Sequence, residues 1–193
     1  RDALLIKEHG NLLKSLWAEV LKLGRSPHPE ELEHKLLEQV QNRLGAIRVG
    51  VRLAQEAFGS DALKEARTGR VDDLRVYFAL NLFSRRKAYG ELPNDLQRDV
   101  KAFFGNYQNA LAAGKELLFS IGKPETILDA CELAAEQRLG YLDGRHSLQI
   151  DARLVDRLPA ALRVYVGCGE VLYGDIDEAD LVKIHIQSGK ISI

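Results

Sequence analysis

Apolar residues recur at helical spacing along most of this chain and change to strict alternation only near its end. A helix brings every third or fourth residue to one face and a strand every second, so this switch constrains the fold more than any other feature. Leu4, Leu5, Leu12, Leu13, Leu16, Trp17, Val20 and Leu21 keep the helical period and predict an amphipathic helix over 3–23, weakened or split at Gly10. Pro27 and Pro29 end it, because neither ring fits a helix interior. Pro29 suits a first helical turn, with Glu30 and Glu31 complementing the N-terminal dipole. Leu32, Leu36, Leu37, Val40, Leu44, Ile47 and Val51 then hold one apolar stripe, with bends expected at Gly45 and Gly50. Gly59-Ser60-Asp61 stops it and caps a short helix expected to end at Thr68-Gly69.

Asp72 is the expected cap of the next helix, which runs through Tyr77, Phe78 and Phe83 to about Ala88. After Leu92-Pro93-Asn94 the pattern is helical to Gly105, then again over 107–120 and 125–139, separated by Gly122-Lys123-Pro124. Residues 147–150 read as a short strand and 152–158 as a helical turn or two. Pro159 opens a further helix to Gly174, which Gly167 and Gly169 weaken. Residues 181–193 alternate β-branched and polar side chains around Ser188-Gly189, the pattern of a β-hairpin. The expected class is mostly α, a multi-helix bundle with a small C-terminal β-hairpin. It forms a single domain over 1–193 with a sub-boundary near 140–146.

Composition narrows the functional classes. The 27 basic and 28 acidic side chains give a net charge of −1, which argues against gripping nucleic acid over the whole surface but leaves room for a local basic patch. The chain contains no methionine and its last residues, Lys190-Ile191-Ser192-Ile193, have strand composition, so it is expected to be a piece of a longer protein. Cys131 and Cys168 lie in apolar settings, read as buried thiols suited to a reducing cytoplasm. No stretch has the length or apolarity of a membrane span.

Catalytic motifs are missing. Gly167-Cys168-Gly169 lacks the further glycines and the distant acidic residue of a dinucleotide loop. His9, His28, His34, His146 and His185 form no metal-ligand spacing, and Phe119-Ser120-Ile121-Gly122 is not a nucleophile elbow. The acidic clusters at Asp72-Asp73 and at Asp175, Asp177, Glu178 and Asp180 read as helix caps and a solvated turn. A hydrolase reading would need distant residues such as Asp99, His146 and His185 to converge.

Two basic groupings carry more weight. Arg85, Arg86 and Lys87 follow Tyr77, Phe78 and Phe83, with Arg98 and Lys101 on the next helix; Arg163 is a further candidate. Lys183, His185 and Lys190 project from the expected hairpin, and Lys183 and His185 share a face by the period of two. Basic groups beside aromatics bind phosphates and stack bases. A basic helix C-terminus also complements the dipole without any ligand.

Several strings, taken in order, resemble the C-terminal region of the methyltransferase family associated with DNA phosphorothioation in bacteria. They are Leu21-Lys22-Leu23-Gly24-Arg25, Phe58-Gly59-Ser60, and Val71-Asp72-Asp73-Leu74-Arg75-Val76-Tyr77. Leu92-Pro93-Asn94-Asp95-Leu96-Gln97-Arg98-Asp99-Val100-Lys101-Ala102-Phe103-Phe104-Gly105 follows. The last is Leu158-Pro159-Ala160-Ala161-Leu162-Arg163-Val164-Tyr165, leading into Leu181-Val182-Lys183-Ile184-His185. The resemblance implies a longer bacterial protein whose upstream domain binds S-adenosylmethionine, with no cofactor and no catalytic residue in this fragment. It also implies an accessory role in DNA modification, restriction-modification or defence. The partners expected are DNA, plain or phosphorothioate-modified, the upstream methyltransferase domain and other phosphorothioation proteins, with Tyr77, Arg85, Arg86, Arg98, Lys101, Arg163, Lys183 and His185 as candidate nucleic-acid contacts. The alternative is a protein–protein scaffolding module without nucleic-acid binding.

Overall fold

The computed structural model describes residues 2–84, 87–174 and 179–193. It is mostly helical and carries the expected C-terminal strand pair. The chain divides into two compact units, Arg1–Val71 and Asp72–Ile193, where the sequence suggests one domain with a sub-boundary near 140–146. Residues 140–146 lie inside the second unit.

In the first unit α1 (Asp2–Glu8) and α2 (Gly10–Leu23) break at His9, beside the glycine that weakens the pattern. Gly24 closes α2 at φ +65°, donating its N–H to the Leu21 carbonyl. Arg25 and Glu31, both largely buried, then form a two-pronged ion pair with N···O distances of 2.7 and 2.6 Å. The same Glu31 carboxylate accepts the His28 backbone N–H at 2.7 Å, which fixes the turn through Pro29. The Leu32–Val51 stripe is two helices, α3 (His34–Leu44) and α4 (Ile47–Phe58), because Gly45 turns to φ +82° between them. Gly50 on α4 admits α2: a Cβ there would lie 2.6 Å from Leu16 Cδ2. Leu13, Leu16, Trp17, Val20, Val40, Leu44, Leu53 and Ala54 make the core of this unit.

α5 (Asp61–Leu80) is one helix, whereas the sequence suggests a stop at Thr68-Gly69 and a new cap at Asp72. A single interior glycine costs only about 1 kcal/mol and removes no backbone donor, so by itself it does not break a helix. The α-helix ends at Leu80 in a 3-10 turn over Asn81–Phe83, short of the expected Ala88.

In the second unit α6 (Asn94–Asp99) runs into a π-helical turn, Val100–Phe104, and stops at Gly105, φ +77°. α7 (Tyr107–Ser120) starts under an Asn106 side-chain cap and α8 (Pro124–Glu136) starts on its proline. β1 (Gly140–Asp143), which the sequence reading lacks, pairs antiparallel with β2 (Ser147–Asp151). α9 (Ala160–Tyr173) follows, then β3 (Leu181–His185) and β4 (Lys190–Ser192) around Gly189 at φ +66°. The hairpin is therefore half of a four-stranded antiparallel sheet in the order β1-β2-β3-β4. Leu148, Ile150, Val182 and Ile184 bury one sheet face against Ile127, Cys131, Ala134, Leu162 and Val166 of α8 and α9. Gly167 and Gly169, which lower the helical signal of α9, receive Leu80 and Ile191: a Cβ at either would lie 2.8 Å from those side chains. Among the described residues no helix is long and apolar enough to cross a membrane.

Candidate nucleic-acid interface

Strand register decides what the uncovered face of the sheet presents. Side chains alternate along each strand, and directly paired residues share a face. Leu142, Leu148, Ile184 and Ile191 form one inward row. The neighbouring outward row is Tyr141, Gln149, Lys183 and Ser192, one residue from each strand. The next outward row is Asp143, Ser147, His185 and Lys190. Lys183 and His185 thus lie on one face as the period of two implies, and Lys190 joins them as the direct partner of His185. Tyr141 is 69% exposed. Lys190 and Ser192 are exposed, Lys183 and His185 half buried. His185 Nε2 lies 2.9 Å from Ser192 Oγ, a diagonal contact that ties the imidazole across the hairpin.

Both hairpin turns lie at the same end of this sheet. The first carries exposed Arg145 and His146, and the His146 carbonyl accepts the Ile186 N–H at 3.0 Å, which joins the two turns. Arg145, His146, His185 and Lys190 therefore gather at one end. Ser147 is buried among them, with its hydroxyl lacking a hydrogen-bond partner. Asp151 on the same face is engaged by Arg153, whose side chain and backbone N–H both donate to it. Those hydrogen bonds hold its carboxyl down at about 2, against an ordinary 3.8. The negative charge left in the two outward rows is Asp143.

The other candidates fall elsewhere. Tyr77 is half buried, its ring 5.2 Å edge-on to Phe78 in a cluster that includes Phe104 and Tyr107. Beside it lies a small pocket of about 70 Å³ lined by Tyr77, Phe78, Asn81, Leu82, Lys87 and Tyr107, among others. Arg98 is half buried on α6 and Lys101 exposed on the π turn. Arg163 is 15% exposed and donates to Asp73 at 2.7 Å, so its charge is matched within the unit. Arg85 and Arg86 lie outside the described residues.

Chemistry of other kinds has less to build on. Asp99 is fully buried on α6 next to Val100, while His146 and His185 lie at the end of the sheet that carries its turns. Cys131 is fully buried and its thiol is pushed up to about 12, by burial first and by the Glu132 charge second. Among the described residues no three His, Cys, Asp or Glu side chains are grouped to hold a metal ion.

A second feature adjoins the sheet. Tyr165, Cys168, Gly169 and Leu172 of α9 and Ile191 and Ile193 line an open groove of about 500 Å³ along β4. Leu172 and Ile193 are strongly exposed there. No family model, curated protein or solved structure matches the chain.

Proposed function

We propose that this chain is an accessory C-terminal domain of an S-adenosylmethionine-dependent methyltransferase linked to bacterial DNA phosphorothioation, and that it helps the enzyme engage DNA. The family part of this reading rests on the ordered strings from Leu21 to His185. The observation that carries the DNA part is the outward sheet face, where Lys183, His185 and Lys190 stand together with Arg145 at the adjoining turn. Lysine and arginine side chains neutralise phosphates and release condensed counterions, an interaction indifferent to sequence and steeply weakened by salt. In this reading the cofactor and the methyl transfer belong to the upstream domain, and the protein works in the cytoplasm.

Fluorescence anisotropy with matched plain and phosphorothioate DNA across a salt series tests the reading. Binding that weakens with salt and is lost in the Lys183→Glu, Lys190→Glu double variant supports it; no binding at low salt sinks it. The groove beside β4 favours a second reading, a protein–protein scaffolding module. There the exposed apolar side chains and the open strand edge would take a partner. Co-purification with phosphorothioation proteins in the absence of DNA is the outcome that selects it.

A further inference from the structure

We infer that the outward face of the sheet is built for a single DNA strand, with Tyr141 as the platform on which one base stacks; this rests on the DNA reading above. Four observations carry it. Among the described residues Tyr141 is the most exposed tyrosine, and it holds its ring on a mostly polar face whose exposed apolar member, Leu181, lies in the row beyond Gln149 and Lys183, paired with Asp151. Its row continues through an amide, an ammonium and a hydroxyl, Gln149, Lys183 and Ser192. Charge on the two rows favours an anion: Lys183 and Lys190 stand against Asp143, and Asp151 is already occupied by Arg153. The inward rows are filled with core residues, which holds this array rigid.

Dimensions decide between one strand and two. Neighbouring strands are about 4.8 Å apart, so the axes of four strands span about 14 Å before side chains are added. The major groove of duplex DNA is about 12 Å wide and admits a helix or a two-stranded ribbon. This sheet face is too broad to enter it. In a duplex, moreover, both faces of every internal base are covered by its neighbours, leaving Tyr141 nothing to stack on. An unpaired base offers its face to the ring. Lys183 lies two strand spacings away, about 10 Å, within reach of the backbone of the same strand segment. Gln149 between them has a donor and an acceptor for a base edge.

The test compares the whole chain against three probes of equal length, a single strand, its duplex and an abasic single strand. The single strand is expected to bind about tenfold more tightly than either, within the range that stacking of one base gives. Tyr141→Ala should remove that advantage and leave duplex affinity unchanged, while Tyr141→Phe should keep it. Because Tyr141 is largely exposed, both variants should retain the parent circular dichroism; 2-aminopurine placed in the strand provides an independent signal, quenched on the native protein and not on Tyr141→Ala. Equal affinity for strand, duplex and abasic probe overturns the inference and leaves the DNA reading standing. No binding to any probe overturns both.

Discussion

Two residues show how local surroundings set chemistry here. Cys131 has no exposed surface, and its thiol stands at about 12 because burial disfavours the thiolate and Glu132 adds a like charge. Cys168 is raised by burial as well, although it is only half buried. The thiolate is the reactive form, so at pH 8 a thiol at 12 is ionised in only about one molecule in ten thousand. Titration of the native protein with a disulfide reagent should therefore register Cys168 alone, with Cys131 appearing on denaturation. Immediate reaction of both thiols would contradict the packing described. The linked effect on stability has a definite sign. Burial of Cys131 stabilises the fold fully below its ordinary value of 9, and this contribution is lost as the pH rises towards 12. Arg138 is a residue of another kind: it stands at φ +58° after α8, where the Leu139 N–H reaches back to the Ala134 carbonyl and turns the chain into β1.

At the scale of elements, close approach is set by small residues. Gly114 of α7 lies so near α5 that a Cβ would fall 2.6 Å from Phe78 Cβ and 2.8 Å from the Ala79 nitrogen. The second contact is backbone and cannot swing aside. Gly114→Ala should therefore destabilise the protein by about 1–3 kcal/mol despite its better helix propensity, read as a lower urea midpoint at unchanged slope. Gly10 meets nothing within 4 Å and has no such constraint. Much of this level was legible in the sequence. The helical periods, the Pro124 start and the Gly189 hairpin are local signals and appear as expected, whereas the break at Gly45 and the end of α5 at Leu80 do not. The unbroken α5 was not legible, because Gly69 keeps a helical backbone where Gly45 and Gly59 turn to positive φ, a difference the residue type does not reveal. Nor was β1: Gly140-Tyr141-Leu142-Asp143 is short and gains its strand character from pairing with β2. For the same reason Tyr141 escaped notice as a candidate, while Lys183 and His185, whose shared face follows from spacing alone, did not. The Asp73 partner of the candidate Arg163 was not legible either, since it lies 90 positions away in sequence.

For the whole molecule, a net charge of −1 means that, on the DNA reading proposed above, long-range attraction is weak and affinity must come from a few placed cations. This gives a quantitative expectation. Each phosphate neutralised on a single strand contributes about 0.7 to the dependence of log affinity on log salt. Reversing Lys183 and Lys190 should therefore lower that slope by about 1.4 or more, whereas reversing Lys64, an exposed lysine of the first unit already paired with Asp61, should leave it unchanged. An equal loss per reversed charge from both replacements would mean that overall charge, and not the sheet face, governs binding.

The alternation of rows in this sheet also separates what selection can change from what it cannot. Val182 and Ile184 answer to the core, and Lys183 and His185, between and beside them, lie half buried on the outward face, His185 held by Ser192. A shift of register by one residue would exchange the two sets, so the pairing is held by burial while the outward letters stay free. The ligand of such a face can drift over a lineage, or be rewritten in a library, at little risk to folding.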